Sequence, residues 1–409
     1  MSTQRALEGV RVVELANFVA APCCARFLAD QGADVIKIET LGGDAIRYAP
    51  LAEGRPVLPD ENLTFDIENG NKRGVAMNLK SPKCFEALVR MVSRADVFIT
   101  NWRPKALERM GLDYPSLKRR FPRLVYACVT GYGEKGPDRD LPGYDFTAFF
   151  TRSGILGSLY DKGGAPNNLI PGMGDRQAGM FLAAGVCAAL YRAARTGQGE
   201  KVSCSLLGAA IFTQGTMIQA AQYGLLEYPL EKRESPNPLT SCFRTGDGRW
   251  MQISVPVFDL FPRLADALDL PELKSDPRFA SQEAVTDGNG PALYDAIAAR
   301  FAQLTVAEAS EKLAAADLPF ALAKVWREVL EDEQAWADDV FTKLSYPSGE
   351  RVAIRNPVRF EEAGLPGYAL APHVGQHTRE VLAELGYGDD EISGMLDAGE
   401  IRVTSESYR

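Results

Sequence analysis

Along the first third of the chain, short apolar runs alternate with segments whose apolar residues recur every three or four positions. Residues 9–15 (GVRVVEL) read as a buried strand. Pro22 suits the first turn of a helix that carries Cys24, Phe27 and Leu28 on one face and stops at Gly32. Residues 34–39 (DVIKIE) form a second strand and, after a Gly/Pro-rich loop, residues 74–79 form a third. Ser81 and Pro82 cap a helix in which Phe85, Leu88, Val89 and Val92 follow i, i+3, i+4, i+7. Residues 96–100 and 124–130 add two more strands. These strands are continuously apolar rather than alternating, so the pattern predicts an α/β fold with a parallel sheet covered by helices on both faces.

A long apolar helix starts near Asp175 and runs to about Arg195, followed by the turn Thr196-Gly197-Gln198-Gly199, a strand at 201–206 and a helix toward Gly224. Residues 229–238 (PLEKRESPNP) concentrate charge and proline, as a linker does. Beyond them the pattern predicts a smaller unit, with a strand at 250–255 and helices at 258–268, 292–304 and 306–315. From Trp326 the chain reads as irregular, ending in a helix at 378–385. The expected organisation is a large domain opening over 1–228, a small domain over 229–318, and a return to the large domain over 319–409.

Composition narrows the function classes. With 46% hydrophobic and 24% charged residues among 409, the chain has the balance of a soluble globular protein. A net charge of −9 disfavours nonspecific nucleic-acid binding, and an anionic ligand would need a locally basic pocket. Seven cysteines without a Cys-x-x-Cys pair read as reduced thiols in a cytoplasmic enzyme. Residues 1–9 show no basic-then-apolar signal pattern. The nearly uncharged stretch 178–191 is shorter than the roughly 20 residues a membrane helix needs. No membrane partner is expected.

Three motifs invite chemistry. Gly131-Tyr132-Gly133-Glu134-Lys135-Gly136 spells G-x-G-x-x-G after a strand, but Pro137 to Gly143 continue it as a loop rather than a helix. The first strand–helix turn, 16–22, has no glycine, and Glu39 alone is a weak ribose-binding signal, so a dinucleotide site is not expected. His373 and His377 are the only histidines; Gly375 between them argues against a helical metal pair, and a surface or packing role is favoured. Asp175, preceded by Gly174, is either an ordinary helix N-cap or a carboxylate held ionised at a helix N-terminus where a substrate can approach. Basic residues near strand ends (Lys37, Lys72, Arg73, Lys80, Arg103, Lys105, Arg109, Lys135) read singly as solvated charges. Collectively they suit a phosphate-bearing ligand at the carboxyl edge of the sheet.

The segment 12–39, Gly43-Asp44 with Arg47, Asn71-Lys72-Arg73, Asn78-Leu79-Lys80, Asn101-Trp102-Arg103-Pro104, Arg109-Met110-Gly111-Leu112, 129–136, 196–199 and Gly375-Gln376-His377-Thr378 together resemble the family III CoA-transferases, the formyl-CoA transferase group. Residues 168–185, 218–224 and 332–339 look most like the phenyllactate and 2-hydroxyisocaproate CoA-transferases of amino-acid fermentation. The resemblance implies a Rossmann-like parallel sheet in a large domain, a smaller α/β domain, and two chains interlocked as a homodimer. It implies Asp175 as the nucleophile, attacking a donor acyl-CoA and then carrying CoA as an aspartyl thioester. It places CoA contacts at Val19, Ala20, Met77, Asn78, Leu79, Lys80, Asn101, Trp102, Arg103, Arg109 and Tyr144. The CoA thioester is then a substrate, with no permanently bound cofactor and no metal. An acid with a large apolar side chain is expected, such as (R)-phenyllactate or 2-hydroxyisocaproate exchanged against cinnamoyl-CoA, with Phe146, Phe149, Phe150, Met173 and Met180 lining its pocket. The chain departs from formyl-CoA transferase in having Thr40-Leu41 where an arginine follows the second strand, and in reducing a glycine-rich loop to Gly246-Asp247-Gly248. Two alternatives stand. A 2-methylacyl-CoA racemase would need a histidine where Gly143-Tyr144-Asp145 places a tyrosine, a poor base at its usual pKa of about 10. A non-catalytic CoA-binding protein would be distinguished by its lack of turnover.

Overall fold

Six of the apolar runs hydrogen-bond side by side in parallel. In the computed structural model, which describes residues 5–404 apart from 56, 59–60, 225–226 and 365–366, they alternate with helices. The order is β1 (Arg11–Leu15), α1 (Ala20–Asp30), β2 (Asp34–Glu39), α2 (Leu63–Asn69), β3 (Arg73–Met77), α3 (Pro82–Ser93) and β4 (Val97–Thr100). It continues through α4 (Pro104–Met110), α5 (Tyr114–Arg120), β5 (Val125–Thr130), α6 (Met173–Thr196), β6 (Lys201–Ser205) and α7 (Leu206–Thr213). Strand order runs β3-β2-β1-β4-β5-β6. Successive residues point to opposite faces: Val12, Val35, Ile99 and Ala127 pack on α1 and α6. Val13, Ile38, Phe98 and Tyr126 pack on α3 and the chain's C-terminal helices. Both faces are therefore apolar, as continuous hydrophobic strands require.

The last third returns to this sheet with more structure than its irregular composition implies. A hairpin of β7 (Phe341–Tyr346) and β8 (Gly349–Ile354) precedes α8 (Thr378–Glu384), α9 (Asp389–Asp397) and β9 (Ile401–Arg402). β9 adds to the edge of the sheet, antiparallel to β3. This unit comprises Met1–Ile155, Asn168–Gln222 and Glu333–Arg409.

A second unit, Leu156–Asn167 with Tyr223–Asp332, has its own core of Phe243, Ile253, Leu264, Leu293, Phe301 and Leu313 around a three-stranded antiparallel sheet. It begins at Tyr223 and ends at Asp332, against the expected 229 and 318, and it takes in 156–167 as well. The proline- and charge-rich segment lies inside this unit, where Lys232 pairs with Asp161 at 3.0 Å. Gly246, Asp247 and Gly248 lie in the turn joining Cys242–Arg244 to Trp250–Ile253, where the Gly248 N–H donates to the Thr245 carbonyl.

Candidate active site

Strand order reverses direction between β1 and β4, so the loops leaving their carboxyl ends diverge and open a crevice, the usual ligand site of such sheets. The loops are tied across the opening: the Asn17 N–H donates to Asn101 Oδ1 at 3.1 Å, and Asn101 Nδ2 donates to the Asn17 carbonyl at 2.7 Å. A cavity of about 460 Å³ lies here. Val19, Ala20, Asn101, Trp102, Arg103, Tyr144 and Asp175, all expected from the sequence, line it together with Phe18, Val129, Leu141 and Leu206. Arg103, Lys105 and Arg139 bring positive charge to it, part of which is offset by Asp140, a lining residue that lies 3.1 Å from Lys105 Nζ and 3.8 Å from Arg139 Nε.

The other expected contacts lie elsewhere. Asn78, Leu79 and Lys80 follow β3, two strands away from β1, and Arg109 is an exposed residue of α4. None of the four lines the cavity. Met77 is only 1% exposed, its side chain packed in the core, so it offers a ligand no side-chain surface. The predicted apolar pocket is also corrected: Phe149 and Phe150 are buried core, Phe146 and Met173 are exposed, and none of them, nor Met180, lines the cavity. Phe18, Val19, Trp102, Val129, Leu141, Tyr144 and Leu206 provide its apolar surface instead.

Asp175 is the third residue of α6, which is capped by Gly172 at φ +75°. No side chain caps this helix, so the ordinary N-cap reading of Asp175 does not hold. Burial, then the neighbouring carboxylates of Asp145 and Glu68, push Asp175 up to about 7, against the Arg176 guanidinium. Arg176 is committed to Glu68, donating from Nε at 2.8 Å and pairing through Nη2 at 2.7 Å. Asp145 is only 5% exposed, and neither carboxylate oxygen has a hydrogen-bond partner among the described residues. It faces the backbone N–H groups of Gly172, Gly174 and Asp175; burial pushes it up to about 6 against their pull. Gly174 makes the approach feasible, because a Cβ there would overlap the Phe149 ring and the Asp145 carboxylate.

The sequence does not show that Asp145 and Glu68 come beside Asp175. Glu68 lies on α2, inside the stretch read as loop, although Asn62 signals that helix by accepting the Phe65 N–H at 3.1 Å. Two basic residues read as surface charges are fully buried. Lys37 pairs with Glu14 at 2.9 Å and Asp44 at 3.0 Å, and Lys72 pairs with Glu14 at 2.7 Å. Burial pushes Lys72 down to about 8. Arg73 binds Asp34, Glu380 and Glu384. Glu39 is occupied by Arg47 Nε at 2.8 Å and the Asp44 N–H at 2.8 Å, which removes it as a ribose ligand. The end of β2 is not without a cation: Arg402, delivered by β9, donates to the Leu41 carbonyl at 3.2 Å.

Residues 131–136 form a loop that packs Gly131 against Gly143. His377 Nδ1 accepts the Gly74 N–H at 3.1 Å, and no metal-holding cluster of three acidic, His or Cys residues occurs among the described residues. All seven cysteines are free, and burial pushes Cys23 and Cys128 up to about 12. Among the described residues no helix is long and apolar enough to cross a membrane.

Residues 7–378 match the model of CoA-transferase family III. The chain belongs to that family. It is 49% identical to the cinnamoyl-CoA:phenyllactate CoA-transferase of Clostridium sporogenes over 403 residues, covering 97% of this chain and 98% of the relative. It is 43% identical to the (R)-2-hydroxy-4-methylpentanoate CoA-transferase of Clostridioides difficile over 399 residues, covering 97% and 99%. A CAIB/BAIF family protein from Brucella suis shares its structure at TM-score 0.78 and 28% identity, over 93% of this chain and 100% of that one. This family III CoA-transferase therefore takes CoA thioesters as substrates.

Proposed function

We propose that this CoA-transferase moves CoA between an acyl- or enoyl-CoA such as cinnamoyl-CoA and a 2-hydroxy acid such as (R)-phenyllactate or 2-hydroxyisocaproate. The observation that carries the reading is Asp175, a half-buried carboxylate at a helix N-terminus that lines the cavity and titrates near neutrality. A desolvated carboxylate is a stronger nucleophile than a hydrated one, and it is available near its pKa. An Asp175 carboxylate oxygen attacks the thioester carbonyl, the C–S bond breaks, and CoA thiolate leaves a mixed anhydride. The thiolate attacks the Asp175 acyl carbon, releasing the donor acid and leaving an aspartyl-CoA thioester. The acceptor carboxylate repeats the exchange in reverse, and Asp175 is regenerated with no net proton transfer.

Val19, Ala20, Asn101, Trp102, Arg103 and Tyr144 are assigned to the thiol-bearing arm of CoA, because they share the cavity with Asp175. Asn78, Leu79, Lys80 and Arg109 are assigned to its nucleotide end; Lys80 and Arg109 are exposed cations suited to phosphate. The relatives' substrates support the acid class. With cinnamoyl-CoA as donor, kcat/KM is expected to be higher for phenyllactate and 2-hydroxyisocaproate than for lactate, oxalate or formate. Oxalate or formate winning by a wide margin refutes the acid class, and no transfer to any acid refutes the activity.

The assembly assigned to the protein is an interlocked homodimer. Tyr191 on α6 and Phe212 on α7 stand 66% and 75% exposed, large apolar surface for a second copy to cover. Sedimentation at micromolar concentration should show a dimer that dissociates only with unfolding; a stable folded monomer overturns the assignment.

A further inference from the structure

Phe18 holds φ +63°, the left-handed region that bulky side chains rarely enter. The loop around it is fastened from beneath by buried charges. Asp44 Oδ1 accepts the Phe18 N–H at 3.1 Å, Lys37 Nζ donates to the Ala16 carbonyl at 3.0 Å, and Lys72 Nζ donates to the Pro22 carbonyl at 2.9 Å. Glu14 bridges the two lysines, and the side chains of Glu14, Lys37, Lys72 and Asp44 are wholly buried. Across the crevice the Asn17–Asn101 exchange holds the same loop from its other side.

A strained backbone persists only where its surroundings over-determine it, and such positions cluster at functional sites. Here the visible product of the arrangement is one ring. Phe18 is 39% exposed, lines the cavity with Asp175, and meets the Tyr144 ring edge-to-face, centroids 5.7 Å apart and planes at 81°. It is not a member of the packed cores on either face of the sheet. Tyr144 is itself 58% exposed, so the pair presents aromatic surface to the cavity rather than filling a hole. Such a wall attracts a phenyl or branched alkyl group and gains little from a methyl.

We propose that Phe18 is a specificity-determining residue, its ring forming with Tyr144 the wall against which the apolar side chain of the acyl group on Asp175 packs. The inference rests on the CoA-transfer reading above. Phe18→Asn and Phe18→Gly test it, because both residues accept the left-handed conformation and the loop should persist without the ring. In both variants the kcat/KM ratio of phenyllactate to lactate is expected to fall about tenfold or more, the worth of an apolar contact in discrimination. The value for lactate, whose methyl gains little from the ring, should fall less than the value for phenyllactate. A native preference for phenyllactate that both variants retain, or an equal loss for both acids, overturns the role of Phe18 alone. A native enzyme that transfers CoA to no 2-hydroxy acid overturns the underlying reading and the inference with it.

Discussion

The pH dependence of turnover follows from the surroundings of Asp175. As the proposed nucleophile Asp175 must be ionised, and burial beside Asp145 and Glu68 pushes it up to about 7, against the pull of Arg176. The acid limb of kcat/KM, which reports groups of the free enzyme, should therefore fall with an apparent pKa about 7 rather than about 4. One unit below that midpoint only about one-tenth of the enzyme is competent, and each further unit costs about tenfold. Asp145 lies in the same buried site and is itself pushed up to about 6, so the limb belongs to the pair. Asp145→Asn removes the like charge while preserving size, and the limb should move down by about one pH unit, equivalent to roughly 1.4 kcal/mol of repulsion. The assay is steady-state transfer from cinnamoyl-CoA to phenyllactate between pH 5 and pH 9. A limb in the ordinary carboxylate range, or one that Asp145→Asn leaves in place, refutes the reasoning.

The same environment predicts a stability cost. The folded-state pKa of Asp175 lies above its ordinary value of 3.8, so its protonated form is favoured by folding, and that contribution is lost as pH rises through about 7. Asp175→Asn does not titrate, and its Tm advantage over the native protein should be larger at pH 8 than at pH 5; an advantage that shrinks over that interval contradicts the assignment. Gly174→Ala would force a Cβ into the Phe149 ring and the Asp145 carboxylate. An overpacking penalty of about 1–3 kcal/mol is expected, seen as a lower Tm in thermal melts together with reduced kcat. An unchanged Tm and kcat would show that the helix start tolerates the side chain.

The central sheet was readable because its strands are buried on both faces and leave apolar runs, uninterrupted in Val97, Phe98 and Ile99 and broken only by the buried Glu14 in Val12, Val13 and Leu15. That a helix starts near Asp175 was readable, though the position of Asp175 inside the helix rather than at its cap was not. Lys37 shows why other features were hidden. Inside DVIKIE it reads as a solvated charge, and only the parallel register that sets it opposite Glu14 on the adjacent strand reveals a buried pair. Asp145 is 30 positions from Asp175 in sequence, and what joins them is the missing side chain of Gly174, which no periodicity reports. The hairpin Phe341–Tyr346 and Gly349–Ile354 escaped because charged residues interrupt both strands, while β9 is only two residues long. Phe149 and Phe150 were placed in the pocket on their neighbourhood to Tyr144, yet their rings turn inward into the core.

Capture of the covalent intermediate tests the central claim most directly. The enzyme is incubated with cinnamoyl-CoA, reduced with borohydride, digested and read by peptide mass spectrometry. Reduction of an aspartyl-CoA thioester to the alcohol should mark the peptide carrying Asp175 and no other, and Asp175→Ala should show neither the mark nor transfer. An unmarked Asp175 peptide from turning-over enzyme, or normal transfer by Asp175→Ala, would contradict the account.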